Sequence, residues 1–191
     1  MERTDASISR SRTATLLMAL AASPDPLMLK ELKGEVSNSV VRDLVDQMEL
    51  DGLVDIVVTT RPRKTVWVSL TPAGKRVSAI MSMVNEDIGG GPVAGKSLDL
   101  RRTDAVLALL SDGPAGIREV KRAASSYRTA VKVLAALERE GLAVVDPPGA
   151  RRRYARLTEE GEIAAKAYSM MHQIIDEQRE APRDLAVLEE D

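Results

Sequence analysis

The sequence predicts a mainly α-helical protein with small β-hairpins, organised as two tandem copies of one domain in a single chain. Three observations carry this. Four sequence blocks recur in the same order, apolar residues recur at helical spacing within each copy, and each copy holds one pair of short β-rich segments. The length of 191 residues accommodates two small domains, on a prior of roughly 150 residues per domain.

The recurring blocks are read directly from the chain. Leu16-Leu17-Met18-Ala19-Leu20 before Pro24 matches Val106-Leu107-Ala108-Leu109-Leu110 before Pro114. Leu29-Lys30-Glu31-Leu32 matches Ile117-Arg118-Glu119-Val120. Met48-Glu49-Leu50-Asp51-Gly52-Leu53 matches Leu137-Glu138-Arg139-Glu140-Gly141-Leu142, and Leu70-Thr71-Pro72-Ala73-Gly74 matches Leu157-Thr158-Glu159-Glu160-Gly161. The offset stays between 87 and 90 residues, too long for a solenoid period. The expected organisation is a first domain over 1–88, a Gly-rich linker over 89–99, a second domain over 100–180 and an acidic tail over 181–191.

In the first copy, a helix is expected from about Arg12 to Ala22, ended by Pro24 and Pro26. A short second helix is expected from about Leu29 to Glu35. The third helix places Val41, Leu44, Val45 and Met48 on one face. Ser37 or Ser39 caps its start, and Gly52 suits its end. Strands follow at Val54–Thr59 and Thr65–Leu70, joined by Thr60-Arg61-Pro62-Arg63-Lys64. Thr71 caps a last helix with Pro72 at its first position, which buries Val77, Ile80, Met81 and Val84.

The second copy repeats the order. Helices are expected over Arg102–Ser111, Ile117–Ala123 and Ser126–Glu140, and strands over Ala143–Asp146 and Arg153–Leu157. Thr158 caps a last helix whose first turn holds Glu159 and Glu160 at the positive end of the dipole. Its expected apolar stripe is Ile163, Ala167, Met170, Met171 and Ile174. Residues 176–191 hold 7 acids and 2 bases, which predicts a solvated, frayed end.

Three helices followed by a two-stranded wing is the order of a winged helix-turn-helix domain. On the endings of the third helices (Met48 to Leu53, Leu137 to Leu142) and the wing exits (Leu70 to Gly74, Leu157 to Gly161), the sequence resembles transcription regulators of the MarR and PadR kind. The resemblance covers about 160 of the 191 residues. MarR-like proteins carry one such domain and dimerise through flanking helices. Two copies in one chain instead imply a fused pseudo-dimer, and the last helices are expected to pack on each other or on a second chain.

In a helix-turn-helix, the first turns of the third helix face base edges. In the second copy these residues are Ser125, Ser126, Tyr127, Arg128, Thr129 and Lys132, which supply hydroxyls, a guanidinium for guanine and an amine for phosphate. Arg118, Lys121 and Arg122 of the second helix lie near the same end. Arg151, Arg152 and Arg153 of the wing suit phosphates or a narrow minor groove. Residues 96–175 hold 14 bases against 10 acids, a local excess that the overall net charge of −2 hides. The first copy offers Asn38, Ser39 and Arg42, but also Asp43, Asp46 and Glu49, which a phosphate backbone repels. Its wing keeps Arg61, Arg63 and Lys64. The expectation is a sequence-specific double-stranded DNA-binding regulator with the second copy dominant. The alternative is a non-catalytic protein-interaction scaffold in a chromosome-organising or transcription complex, which the acidic third helix and tail favour. Each basic residue alone also fits an ordinary solvated face.

Other signals point away from catalysis. There is no Cys and one His, which excludes disulfides, thiolate chemistry and a multi-His metal centre. Gly90-Gly91-Pro92-Val93-Ala94-Gly95-Lys96-Ser97 matches a phosphate-loop pattern but lacks the preceding buried strand, so a linker is expected. His172, with no evident carboxylate partner in the sequence, is expected to be structural or solvated. Met81, Met83, Met170 and Met171 fit packing better than a ligand pocket. Trp67 and Tyr154, at equivalent places on the second wing strand, are expected to pack across the hairpin. No cofactor is expected. The polar start, MERTDASISRSRT, lacks a signal-peptide core. No apolar run reaches the roughly 20 residues that cross a bilayer. A soluble cytoplasmic protein without membrane contact is expected.

Overall fold

The computed structural model describes residues 6–10, 12–32, 37–61, 63–87, 100–147 and 152–180. A short 3-10 turn, Ser7–Ser9, precedes helix α1 (Thr13–Ala22), strand β1 (Leu27–Met28), helix α2 (Asn38–Leu50), strands β2 (Val54–Thr59) and β3 (Thr65–Leu70) and helix α3 (Pro72–Asp87). Next come α4 (Thr103–Ser111), β4 (Ala115–Gly116), α5 (Ile117–Ala123), α6 (Tyr127–Arg139), β5 (Ala143–Val145), β6 (Tyr154–Leu157) and α7 (Glu159–Glu180). The result is mostly helical, with two small antiparallel sheets, ordered β1-β3-β2 and β4-β6-β5. This arrangement is compatible with a winged helix.

The recurring sequence blocks adopt the same local geometry. At the end of α2, Gly52 has φ +69° and Leu53 N–H donates to Met48 O; at the end of α6, Gly141 has φ +73° and Leu142 N–H donates to Leu137 O. Both are left-handed stops that satisfy the helix's last carbonyls. Thr71 Oγ1 donates to Gly52 O and accepts from Gly74 N–H; Thr158 Oγ1 donates to Gly141 O and accepts from Gly161 N–H. Each threonine therefore caps the last helix and ties it to the end of the third. The glycine follows because its Cα lies against a backbone carbonyl. A Cβ at Gly74 would sit 2.0 Å from Leu53 O, and one at Gly161 would sit 1.9 Å from Leu142 O.

Apart from Tyr168 the buried core is aliphatic, in keeping with the lack of Phe. Leu17, Val45, Met48, Leu53 and Met81 are buried on one side, and Leu107, Leu137, Leu142, Met171 and Ile175 on the other. One continuous cluster joins them, because α7 packs against both α4 and α3. The last helices thus pack on each other.

Several expectations need correction. Leu29–Leu32 is a turn, not the start of a helix, and residues 33–36 lie outside the described residues. Leu27 and Met28 instead pair with Val68 and Trp67 as a third strand, and Ala115 and Gly116 do the same with Ala155 and Tyr154. The two copies nevertheless share a contact here, since Met28 N–H donates to Glu31 Oε2 just as Gly116 N–H donates to Glu119 Oε2, both at 2.7 Å. Arg12 and Arg102 precede their helices in left-handed conformation. The strands of the second copy stop at Val145 and begin at Tyr154, because Arg153 Nε and Tyr154 N–H turn to Asp146. Ser37 precedes α2, but its hydroxyl meets that of Ser39 rather than the helix backbone. Ile80 is half-buried, while Ile163 and Met170 are exposed and Ala164, Ala165, Tyr168 and Ile175 share the buried stripe of α7. Residues 176–180, expected to fray, continue α7, and Arg179 binds Asp51. The linker with its phosphate-loop pattern and residues 181–191 lie outside the described residues.

His172 has a structural role, with a carboxylate partner that the sequence did not show. Its Nε2 lies 2.9 Å from Asp104 Oδ2, which also accepts a hydrogen bond from Ser9 Oγ at 2.5 Å. Burial alone pushes the Asp104 carboxyl up. The hydrogen bonds from His172 and Ser9, the imidazole charge and the Ala105 backbone N–H outweigh it and hold the carboxyl below its usual value. A carboxyl lowered on folding contributes stability that is present above its unfolded value and lost as pH falls through the folded one. Asp104→Asn is therefore expected to flatten the acid limb of a Tm-against-pH curve below about pH 4. An unchanged limb would assign acid sensitivity to other carboxylates.

Candidate nucleic-acid interface

The candidate surface follows from the third helices and the wings. The buried face of α6 is Ala130, Val133, Leu134 and Leu137, so the helical period turns Tyr127, Arg128, Val131 and Lys132 outward. Tyr127 is 58% and Val131 46% exposed. Val131 was not anticipated, although its place opposite the buried stripe marks it. Among the described residues, Arg128 and Lys132 make no hydrogen bond or ion pair. Ser126 and Thr129 are differently engaged: Ser126 Oγ accepts from Thr129 N–H at 3.0 Å and donates to Thr129 Oγ1 at 2.8 Å. They cap α6 and fix its start.

The turn between α5 and α6 is made by Ser125, whose φ is +64°. A side chain in this region costs about 1 kcal/mol. Ser125→Gly is expected to raise stability by about 0.5 kcal/mol in urea unfolding; a loss would mean that the exposed hydroxyl offsets the backbone strain.

Two grooves lie between the wings and the elements before the third helices. One, about 650 Å³, is lined by Arg118, Glu119, Arg122, Arg152, Arg153 and Tyr154 with Gly116 and Ile117. The other, about 510 Å³, is lined by Met28, Leu29, Lys30, Ser39, Arg42, Arg63, Lys64, Thr65 and Val66. Arg118, Arg122, Arg152, Arg63 and Lys64 are exposed. Arg153 is half-buried and donates to Asp146 O, so it braces the wing as well as facing the groove. Lys121 and Arg61 are exposed outside both grooves. Arg151 and the side chain of Asn38 lie outside the described residues. Lys30 was missed, though its match to Arg118 in the recurring blocks marks it.

The grooves differ in charge. Glu119 is the acid in the first, and its Oε2 is occupied by Gly116 N–H. In the second, Arg42 lies 3.8 Å from Asp46, and Asp43 is exposed beside it. Tyr154 is exposed and lines the first groove, whereas Trp67 is half-buried. Among the described residues, no group of three His, Asp or Glu is placed to hold a metal ion, and no helix is long and apolar enough to cross a membrane.

No family model and no curated protein matches the chain. Among solved structures, the chain is similar to the crystal structure of NadR in complex with 4-hydroxyphenylacetate, at 23% sequence identity and a TM-score of 0.34, over 55% of this chain and 70% of that one.

Proposed function

We propose that the protein is a double-stranded DNA-binding transcriptional regulator, built as a fused pair of winged-helix lobes in which the second lobe dominates. The observation that carries this reading is the cationic groove of Arg118, Arg122, Arg152 and Arg153 beside the outward face of α6. The exposed guanidiniums of Arg118, Arg122 and Arg152 and an unpaired Arg and Lys on the adjoining helix supply the two contact types a duplex needs. The groove residues neutralise phosphates; Arg128, Tyr127, Val131 and Lys132 present a guanidinium, an aromatic, a methyl-bearing and an amine group to base edges. The hydroxyls of Ser126 and Thr129 act by holding the start of the helix, and Ser125 by setting the turn. In the first lobe, Lys30, Arg63, Lys64 and Arg61 reach the backbone. Asn38, Ser39 and Arg42 contribute less, because Asp43 and Asp46 repel phosphate.

Fluorescence anisotropy on labelled duplexes across a salt series tests the proposal. Each neutralised phosphate contributes roughly −0.9 to the log–log slope. Replacing Arg118, Arg122 and Arg152 with Ala is expected to flatten the slope by nearly 3 on that scale. Arg128→Ala is expected to cost about 1–3 kcal/mol on a selected site and to relax specificity at one base pair. An equal loss on every sequence would make Arg128 a phosphate contact. No binding at low salt would overturn the DNA reading. The exposed acids of α2 would then favour a scaffold that docks a basic partner.

A further inference from the structure

We infer that Ser9, Asp104 and His172 form a proton-operated latch that sets the distance between the two wings. Three segments far apart in sequence meet there. Ser9 belongs to the segment before α1, Asp104 to the first turn of α4 and His172 to the middle of α7. Asp104 Oδ2 accepts both hydrogen bonds, from Ser9 Oγ at 2.5 Å and from His172 Nε2 at 2.9 Å.

The same short segment grips both halves of the molecule. Ser7 N–H donates to Asp51 at the end of α2, while Ser9 O accepts from Arg102 N–H just before α4. Ser7 and Ser9 are buried. Any change at the Asp104 end is thereby transmitted toward the third helix of the first half. The position of the wings follows, since β2 continues directly from that helix.

Protonation changes the strength of this contact. A protonated imidazole adds its own charge to a hydrogen bond whose acceptor is already a carboxylate, and the contact becomes an ion pair. The lowered Asp104 carboxyl keeps the acceptor charged. The His172 side chain is 35% exposed, so protons reach it from solvent. The other charged groups around α7 have separate roles. Arg76 of α3 pairs with Glu177 at 4.0 Å, Arg179 binds Asp51, and Arg10 donates to Gln47. Asp176 lies one turn beyond His172, Arg102 stands at the start of α4, and Arg156 of β6 is exposed. None of these carries an imidazole: His172 is the only histidine in the chain.

The proposal rests on the DNA reading only for its consequence, the spacing of two recognition helices on a duplex. Its test does not need DNA. The chain has no cysteine, so spin labels at Asp55→Cys and Val144→Cys, exposed and equivalent positions on β2 and β5, report the wing-to-wing distance by pulsed electron resonance. At about pH 5.5 a narrow distribution is expected, and at about pH 8 a broader, shifted one, the two sides of the interval in which imidazoles change charge. Adding His172→Gln or Asp104→Asn should remove the pH response. The two variants attack the latch from different helices, and circular dichroism checks that each is folded. Identical distributions at both pH values in the parent overturn the latch, as does a response that survives in either folded variant. Should both variants unfold, the parent's own response decides. A duplex titration at both pH values separates the two readings: a responding distance without DNA binding keeps the latch and removes the regulator.

Discussion

Arg179→Ala is expected to lower the unfolding free energy by about 3–5 kcal/mol, the usual loss when one partner of a buried ion pair is removed. Asp51 is fully buried, and Arg179 places Nε at 3.0 Å and Nη2 at 2.5 Å from its Oδ1. Gln47 and the Ser7 N–H complete the shell. Without the guanidinium, a carboxylate remains in the interior with neutral donors only. For a chain of this size the loss corresponds to roughly 6–20 °C in Tm. Asp51→Asn should cost less, since the amide oxygen still accepts from Ser7 and Arg179 is a quarter exposed and can turn to water. Urea unfolding checks both. A loss under about 1 kcal/mol, the size of a surface pair, would mean that water reaches Asp51.

Gly161→Ala is expected to cost about 3 kcal/mol or more, at the upper end of overpacking effects. The added Cβ meets the Leu142 carbonyl oxygen at 1.9 Å, and a backbone atom cannot rotate away. Relief requires α7 to withdraw, which strains the Thr158 N–H bond to Leu142 O and the Thr158 hydroxyl bond to Gly141 O. Gly74→Ala should behave alike against Leu53 O. Near-parental urea midpoints would show that the helix start slides freely over the wing.

Much of this framework was legible in the chain. The bounds of β2, β3 and α5 agree with expectation residue for residue, because each has a strong period and clear punctuation. The Leu-Thr-x-x-Gly repeat was legible as a pattern, but its cause was not: the glycine meets a carbonyl from a segment 19 to 21 residues earlier only once the chain is folded. Strands β1 and β4 are two residues long and carry no alternation to read. The polar contacts at Asp51 and Asp104 escaped because their partners lie 128 and 68 residues away. Arg179 was hidden by acidic neighbours that made it look like part of a solvated tail. Of the basic residues, Arg118, Arg122, Arg152 and Arg153 were anticipated individually. That Tyr154 stands with them, and that Arg153 also braces the wing, depends on the β4–β6 pairing that the sequence does not announce.

The pairing of Asp51 with Arg179 also sets a schedule. A ribosome makes about 5–20 residues per second, so the 128 residues between them take about 6–25 s to appear. Throughout that interval the nascent first half holds its inward carboxylate without the guanidinium that completes it. The first half must therefore wait, and the last turn of the last helix is the event that closes the molecule.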